Sequence, residues 1–197
     1  QFLQSSLLAT GALALPRTML AGETVSRRGA GGRVVSTWDF GVGANAAAWP
    51  VLARSGAALD AVEAGARWAE SDLCNSTVGH CGYPDRDGVL TLDASIMNGD
   101  GSCGGVGAIE DIEHPVSVAR AVMEKTPHVL LVADGAQEFA VSQGFAKKQL
   151  LTDDARKAWR EWLKTSEYKP KMNVERTGIP GDEHNHDTLG ILALDAP

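Results

Sequence analysis

Clustered positive charge is what this sequence most lacks. Its 18 Lys and Arg against 25 Asp and Glu leave a net charge of −7. The basic residues gather no more densely than Arg27-Arg28 and Lys147-Lys148. Binding to a phosphate backbone draws on clustered Lys and Arg, so nucleic acid is not an expected partner. Long apolar runs are also missing. The most apolar stretch, residues 2–15, is too short to cross a bilayer, so no membrane partner is expected either. Cysteine is scarce: Cys74, Cys81 and Cys103 match no compact zinc spacing, although His80 adjoins Cys81. His184-Asn185-His186, beside Asp182 and Glu183, has histidines two apart, but in so polar a segment they read as solvated and no metal is expected. There is no internal repeat.

An initiating methionine is missing too, since the chain begins at Gln1. Residues 2–15 read as the apolar core of an export signal, with Ala12-Leu13-Ala14 as a cleavage site. Gln1-Phe2-Leu3-Gln4 resembles the residues just downstream of the arginine pair in a twin-arginine signal. Residues 1–30 are therefore expected to be an export remnant and lead, and the protein to be periplasmic. Cys74 and Cys81 could then close a short disulfide loop, stabilising by roughly 2–3 kcal/mol. Three unrelated buried thiols are the alternative.

What is present is an α/β pattern rich in glycine, 22 residues in all. Arg33-Val34-Val35-Ser36-Thr37-Trp38 reads as a first strand, followed by a turn at Gly41 and Gly43 and a helix capped by Asn45. Leu59, Val62, Ala66 and Ala69 recur at helical spacing, with Asp60, Glu63, Arg67 and Glu70 between them. Pro84-Asp85-Arg86-Asp87-Gly88 is a turn signal leading into a strand over 89–97. Asn98-Gly99 then marks a hairpin, with Gly104-Gly105-Val106-Gly107-Ala108-Ile109 as its return strand. Helices are predicted over 115–125, from Asp134 or Gly135 to Gln143, and over 153–163; Val129-Leu130-Leu131-Val132 reads as a short buried strand. Residues 166–187 read as a polar, mobile loop.

At the end of that loop, His186-Asp187-Thr188 runs abruptly into Leu189-Gly190-Ile191-Leu192-Ala193-Leu194. A threonine opening an apolar strand directly after Asp is the arrangement expected of a self-cleaving precursor. The Thr188 hydroxyl attacks the Asp187 carbonyl in an N→O acyl shift, and water resolves the ester. Asp187 offers a nearby carboxylate as base, with His186 as a second base or loop anchor. Cleavage frees an α-amine whose reference pKa is about 7.7–8.0, a base carried by the nucleophile itself. Thr is stiff at χ1, which fixes the hydroxyl direction.

Gly41-Val42-Gly43-Ala44-Asn45-Ala46 is the rival motif. It satisfies a dinucleotide fingerprint after a predicted strand, with Asp60 about 20 residues on. However, Asp60 falls in a helix, where the fingerprint needs an acid at the end of a second strand. Trp38, at the end of the first strand, reads as either core filler or a pocket wall whose face stacks on substrate.

Five separated segments together resemble the glycosylasparaginase (aspartylglucosaminidase) family. They are Ser36-Thr37-Trp38-Asp39-Phe40-Gly41 with Asn45; Ala58-Leu59-Asp60-Ala61-Val62; Pro84-Asp85-Arg86-Asp87-Gly88 with Thr91-Leu92-Asp93-Ala94; the run from Ser117 to His128; and His186-Asp187-Thr188. The resemblance implies an N-terminal nucleophile hydrolase, an α/β protein with a four-layer αββα sandwich that is incomplete in this chain. Residues 31–187 would be its α-subunit part and 188–197 the truncated start of its β-subunit. It implies self-cleavage at Asp187–Thr188, Thr188 as catalytic nucleophile, Trp38 as a substrate-pocket residue, and no cofactor or metal. The substrate implied is a small molecule, asparagine bearing N-acetylglucosamine on its side-chain amide. The implied partners are the protein's own β-subunit and a second αβ unit. In the family, the groups that hold the substrate's α-carboxylate and α-amine, and those of the oxyanion hole, lie further along the β-subunit than Pro197. Plant-type asparaginases and isoaspartyl peptidases are the nearest alternative, but typically carry Gly before the threonine. An inactive fragment is the remaining alternative.

Overall fold

The structure, a computed structural model, describes residues 31–73, 75–166 and 188–196. The predicted export segment, Cys74 and all of the predicted loop beyond Ser166, including His186 and Asp187, lie outside the described residues. The elements run β1 (Arg33–Ser36), α1 (Gly41–Ala53), α2 (Ala58–Ser71), β2 (Thr91–Met97), β3 (Cys103–Glu110), α3 (Pro115–Lys125), β4 (Leu130–Val132), α4 (Ala133–Ser142), α5 (Asp153–Thr165) and β5 (Ile191–Leu194). This is a mixed α/β fold. Its strands form a two-stranded β1-β5 sheet and a three-stranded sheet in the order β2-β3-β4.

Each sheet is covered by helices on one face. In the smaller sheet, β1 and β5 run antiparallel with Val34 opposite Ala193 and Ser36 opposite Ile191. Alternate residues of a strand point to opposite faces, so Val34, Ile191 and Ala193 share the inner side. There they pack against Ala48 and Leu52 of α1 and Ala61 of α2. Val35 and Leu192, on the other face, are 60% and 73% exposed. In the larger sheet, Leu92 and Ile96 of β2 and Val106 and Ile109 of β3 bury against Val118 and Val122 of α3 and Ala136 and Ala140 of α4. β4 pairs parallel to β3, which requires the crossover that α3 supplies.

Glycine sets two of the closest approaches. A Cβ on Gly65 of α2 would lie 2.8 Å from the Ala44 carbonyl and 2.5 Å from Ile191 Cδ1. The α1–α2 crossing is therefore tight enough that the helix pair settles onto β5. A Cβ on Gly104 would collide with the Ala119 carbonyl, so α3 rests directly on the β3 backbone. The glycine-rich return strand is thus a packing surface.

Several sequence expectations need correction. α1 begins at Gly41, so Gly41 and Gly43 are its first turn and not a turn before it; Asn45 is inside the helix and caps nothing. The chain turns earlier, at Trp38, whose φ is +65°. The hairpin is longer than Asn98-Gly99 implies: Asn98 N–H donates to the Ser102 carbonyl and Gly101, at φ +88°, carries the left-handed residue. β2 starts at Thr91 and not at Val89. The strand predicted as buried, β4, has Leu130 and Val132 59% and 55% exposed, because it is an edge strand whose outer face no described element covers. Pro115 does open α3, at a position where a missing N–H costs nothing. Thr152 caps α5, accepting from Ala155 N–H at 3.2 Å.

The polar positions of α2 face α3. Arg120 of α3 donates to Asp60 at 2.6 Å and Glu63 at 2.7 Å, and within its own helix to Glu124 at 2.7 Å. Burial works against its charge, but these three carboxylates outweigh it and hold the guanidinium above its ordinary range. Arg67 donates to Ser117 Oγ at 2.9 Å, and Ser117 Oγ donates to Glu63. Glu70 is buried at the end of this row. It accepts from Val116 N–H at 3.0 Å, occupying the N-terminus of α3, and lies 3.2 Å from His114 Nδ1. Burial pushes its carboxyl above the usual range of about 4.5, against the lowering effect of His114, Val116 N–H and the Arg67 charge.

Two outcomes are expected for the full-length protein. Gly65→Leu should lower stability by roughly 1–3 kcal/mol or more, read from the denaturation midpoint, because it forces α1 off α2. The second concerns pH. The folded state holds the Glu70 proton more tightly than the unfolded chain does, so this group's stabilising contribution is lost as pH rises from 4.5 through the raised value. Glu70→Gln keeps an acceptor for Val116 N–H and removes that titration. The stability of the variant relative to wild type should therefore rise with pH across this window, and a difference that falls or stays flat would contradict the assignment.

Candidate active site around Thr188

Thr188 stands at the mouth of the β1-β5 ladder, three residues ahead of β5, and is exposed. Two hydrogen bonds carry the ladder one step beyond its strands: Thr37 N–H donates to the Gly190 carbonyl at 2.9 Å, and Gly190 N–H donates to Thr37 Oγ1 at 2.9 Å. The segment that bears Thr188 is thereby clasped to the end of β1.

On the β1 side the chain must leave the strand and enter α1 within a few residues. Trp38 takes a left-handed conformation, a costly choice for a bulky side chain. Asp39 Oδ1 accepts from Phe40 N–H at 2.7 Å, and α1 begins at the next residue. Ser36 Oγ braces the corner, 2.8 Å from the Gly41 carbonyl and 2.9 Å from Asn45 Oδ1. A Cβ on Gly41 would come 2.5 Å from that hydroxyl. The result is a compact corner with Trp38 39% exposed at its apex. Trp38 and Thr188 therefore sit at the same end of one small sheet, although 150 positions separate them in sequence (188 − 38).

The dinucleotide reading does not survive this geometry. A Cβ on Gly43 would collide with the Trp68 ring, so this glycine admits α2 and does not face a phosphate. Asp60 lies in the first turn of α2 and is paired with Arg120. Cys81 is a free thiol, its Sγ 2.9 Å from the Leu73 carbonyl, and Cys103 is free as well. The cysteine expected to pair with Cys81, Cys74, lies outside the described residues. So do His186 and Asp187, and the histidines and acids of 182–186. A recess of about 450 Å³ lies between Ala47, Ala64, Arg67, Trp68, Asp72 and His114, and Thr188 does not line it.

Sequence reasoning singled out Thr188 and Trp38 but passed over the hydrogen bonds of Ser36 and Thr37 that hold the segments bearing them. Asn45 held an available signal. It is the one hydrogen-bonding side chain in α1 besides the Trp49 indole, and such a residue within an apolar helix is expected to have a specific partner.

A family model described as asparaginase matches residues 20–197. The chain belongs to the asparaginase family. It is 57% identical over 163 residues to the N(4)-(beta-N-acetylglucosaminyl)-L-asparaginase of Elizabethkingia miricola, an alignment covering 83% of this chain and 45% of that protein. The enzymes of the same name from Rattus norvegicus and Mus musculus are 39% and 38% identical, each alignment covering 82% of this chain and 53% of the relative. The chain thus spans about half the length of the relatives it matches. Within this asparaginase framework the Thr37–Gly190 clasp makes a direct prediction. Thr37→Val in the full-length protein removes one hydrogen bond to the segment bearing Thr188. Stability should fall by about 0.5–1.5 kcal/mol, and any reaction requiring a fixed Thr188 should slow by a larger factor than the stability loss accounts for.

Proposed function

We propose that this chain is the front half of a self-processing amidohydrolase that releases aspartate from asparagine carrying N-acetylglucosamine on its side-chain amide. The carrying observation is the placement of Thr188: exposed, directly after Asp187, and clasped to the Trp38 corner through Gly190, two residues further on. The names of the relatives support the substrate. Thr188 first attacks the Asp187 carbonyl, the peptide nitrogen becomes the leaving amine, and water hydrolyses the resulting ester. That frees the Thr188 α-amino group. In turnover this amine takes the hydroxyl proton as Oγ attacks the substrate's amide carbonyl. A tetrahedral oxyanion forms, the amine returns the proton to the departing glycosylamine, and water releases aspartate from the ester. Trp38 lines the substrate pocket. His186 and Asp187 act in cleavage, Asp187 as the nearer base.

The same reading takes the open faces of both sheets as the interior of a four-layer αββα sandwich, completed by the protein's β-subunit, with two αβ units forming a dimer. Export to the periplasm accompanies it. No cofactor or metal enters the scheme.

The test is made on the full-length protein. Mass spectrometry and terminal sequencing should find two polypeptides, the second beginning at Thr188. Thr188→Ala should remain one chain, with hydrolysis of N-acetylglucosaminyl-asparagine reduced by roughly 10⁴-fold or more. Any other new terminus, or an unprocessed chain with full turnover, would refute the mechanism. Faster hydrolysis of β-aspartyl dipeptides would redirect the substrate to the isoaspartyl peptidases.

A further inference from the structure

The tip of the β2-β3 hairpin carries the one Asn-Gly pair in the sequence, Asn98-Gly99. Both residues are exposed, and a Cβ on Gly99 would meet nothing within 4 Å. Three hydrogen bonds set the shape of the turn: Asn98 N–H to the Ser102 carbonyl at 2.8 Å, Gly101 N–H to the Asn98 carbonyl at 3.0 Å, and Ser102 N–H to Asp100 Oδ1 at 2.8 Å. Gly99 N–H takes no part in these. It donates to Oδ1 of Asn98 itself, at 2.9 Å. The Asn98 side chain is therefore folded back over the peptide that follows it. Its oxygen faces Gly99, since a peptide N–H needs an acceptor, and its NH2 points the other way. The Gly99 nitrogen and Asn98 Cγ are thus held at close range, the arrangement that raises the effective concentration of a nucleophile.

We propose that Asn98 is a site of spontaneous covalent modification, converting through a cyclic imide to aspartate and isoaspartate. Hydroxide removes the Gly99 N–H proton, and the nitrogen attacks Cγ of Asn98. The N–Cγ bond forms, the Cγ–NH2 bond breaks, and ammonia departs with a proton from water, which restores the hydroxide. The ring joins Gly99 N to the backbone carbonyl carbon, Cα, Cβ and Cγ of residue 98. Water reopens it. Cleavage between the nitrogen and Cγ leaves aspartate; cleavage between the nitrogen and the backbone carbonyl leaves isoaspartate, with the chain running through the side chain. Ring closure gives up only the hydrogen bond from Gly99 to the group it attacks. The neighbouring pairs lack this freedom. At Asp100-Gly101 the Gly101 N–H is committed to the Asn98 carbonyl, and at Asp87-Gly88 the Gly88 N–H donates to the Asp85 carbonyl at 3.1 Å. Among the described asparagines, Asn75 is buried with its Oδ1 on Thr77 N–H, and Asn45 lies within α1. Isoaspartate adds one backbone atom between Met97 and Cys103, the last pair of the ladder, while Gly104 beside it is pinned against the Ala119 carbonyl. The change is confined to the tip, and it adds a carboxylate to a chain of net charge −7.

The experiment incubates full-length protein in mildly alkaline buffer, both native and in guanidinium chloride, and follows the peptide containing residues 98 and 99 by mass spectrometry. In the native protein that peptide should exchange the mass of ammonia for that of water at a rate equal to or above the rate in guanidinium. Fragmentation should show both aspartate and isoaspartate at position 98. Gly99→Val, whose side chain has open space in the turn, should slow the conversion by roughly tenfold or more, because a β-branched neighbour crowds the attacking nitrogen. A native rate below that in guanidinium overturns the proposal, because the folded turn would then protect Asn98. Aspartate formed without isoaspartate also overturns it, since that outcome means direct hydrolysis of the side chain. So does a conversion that Gly99→Val leaves unchanged. Should Gly99→Val fail to fold, the comparison of native with guanidinium-unfolded wild type decides alone.

Discussion

Closing β5 onto β1 joins segments more than 150 residues apart, and the final hydrogen bond, Gly190 N–H to Thr37 Oγ1, spans 153 positions. Loop-closure entropy opposes such pairing, though it grows only slowly with length. Four residue pairs and the Thr37–Gly190 clasp could not hold a two-stranded ribbon alone, since such ribbons are marginal in water. What holds it is the helix pair behind it. Ala44, Gly65 and Ile191 meet so closely that α1, α2 and β5 form one contact, and the small side chains there exist to permit that approach. The position of Thr188 is therefore set from below, by helix packing, more than by anything local to the threonine.

The Trp38 corner depends on the same contact. A left-handed tryptophan is expensive, and it persists only where its surroundings leave no alternative. Ser36 Oγ, Gly41 and Asn45 supply that constraint on one side, and burial of Ala44 and Ala48 supplies it on the other by fixing where α1 begins and runs. Strain at Trp38 and rigidity in the strand that follows Thr188 are thus two consequences of one helix–sheet junction. A change in the α1–α2 crossing is transmitted to both.

Much of this was readable from residues. The 3.6-residue period from Leu59 to Ala69, Pro115 at the start of α3 and the Asp85–Gly88 turn all correspond to elements, because local chemistry decides them. Three things were not readable, each for a physical reason. Gly41 and Gly43 look like a turn because glycine is usually there for its φ; here both are helical, and their missing Cβ makes room for Ser36 and Trp68. The period of Asp60, Glu63, Arg67 and Glu70 says only that they share one side; α3, over forty residues away in sequence, pairs Asp60 and Glu63 with Arg120 and buries Glu70. β4 looks buried because Leu-Leu-Val is apolar, but burial depends on what covers a strand.

The same logic bears on the apolar surfaces left over. Val35, Leu192 and Leu194 lie on the open face of a sheet, and Val42, Ala46, Trp49 and Ala53 on the outside of a helix layer. An apolar pattern says which faces can be buried, and the element laid over them decides which ones are.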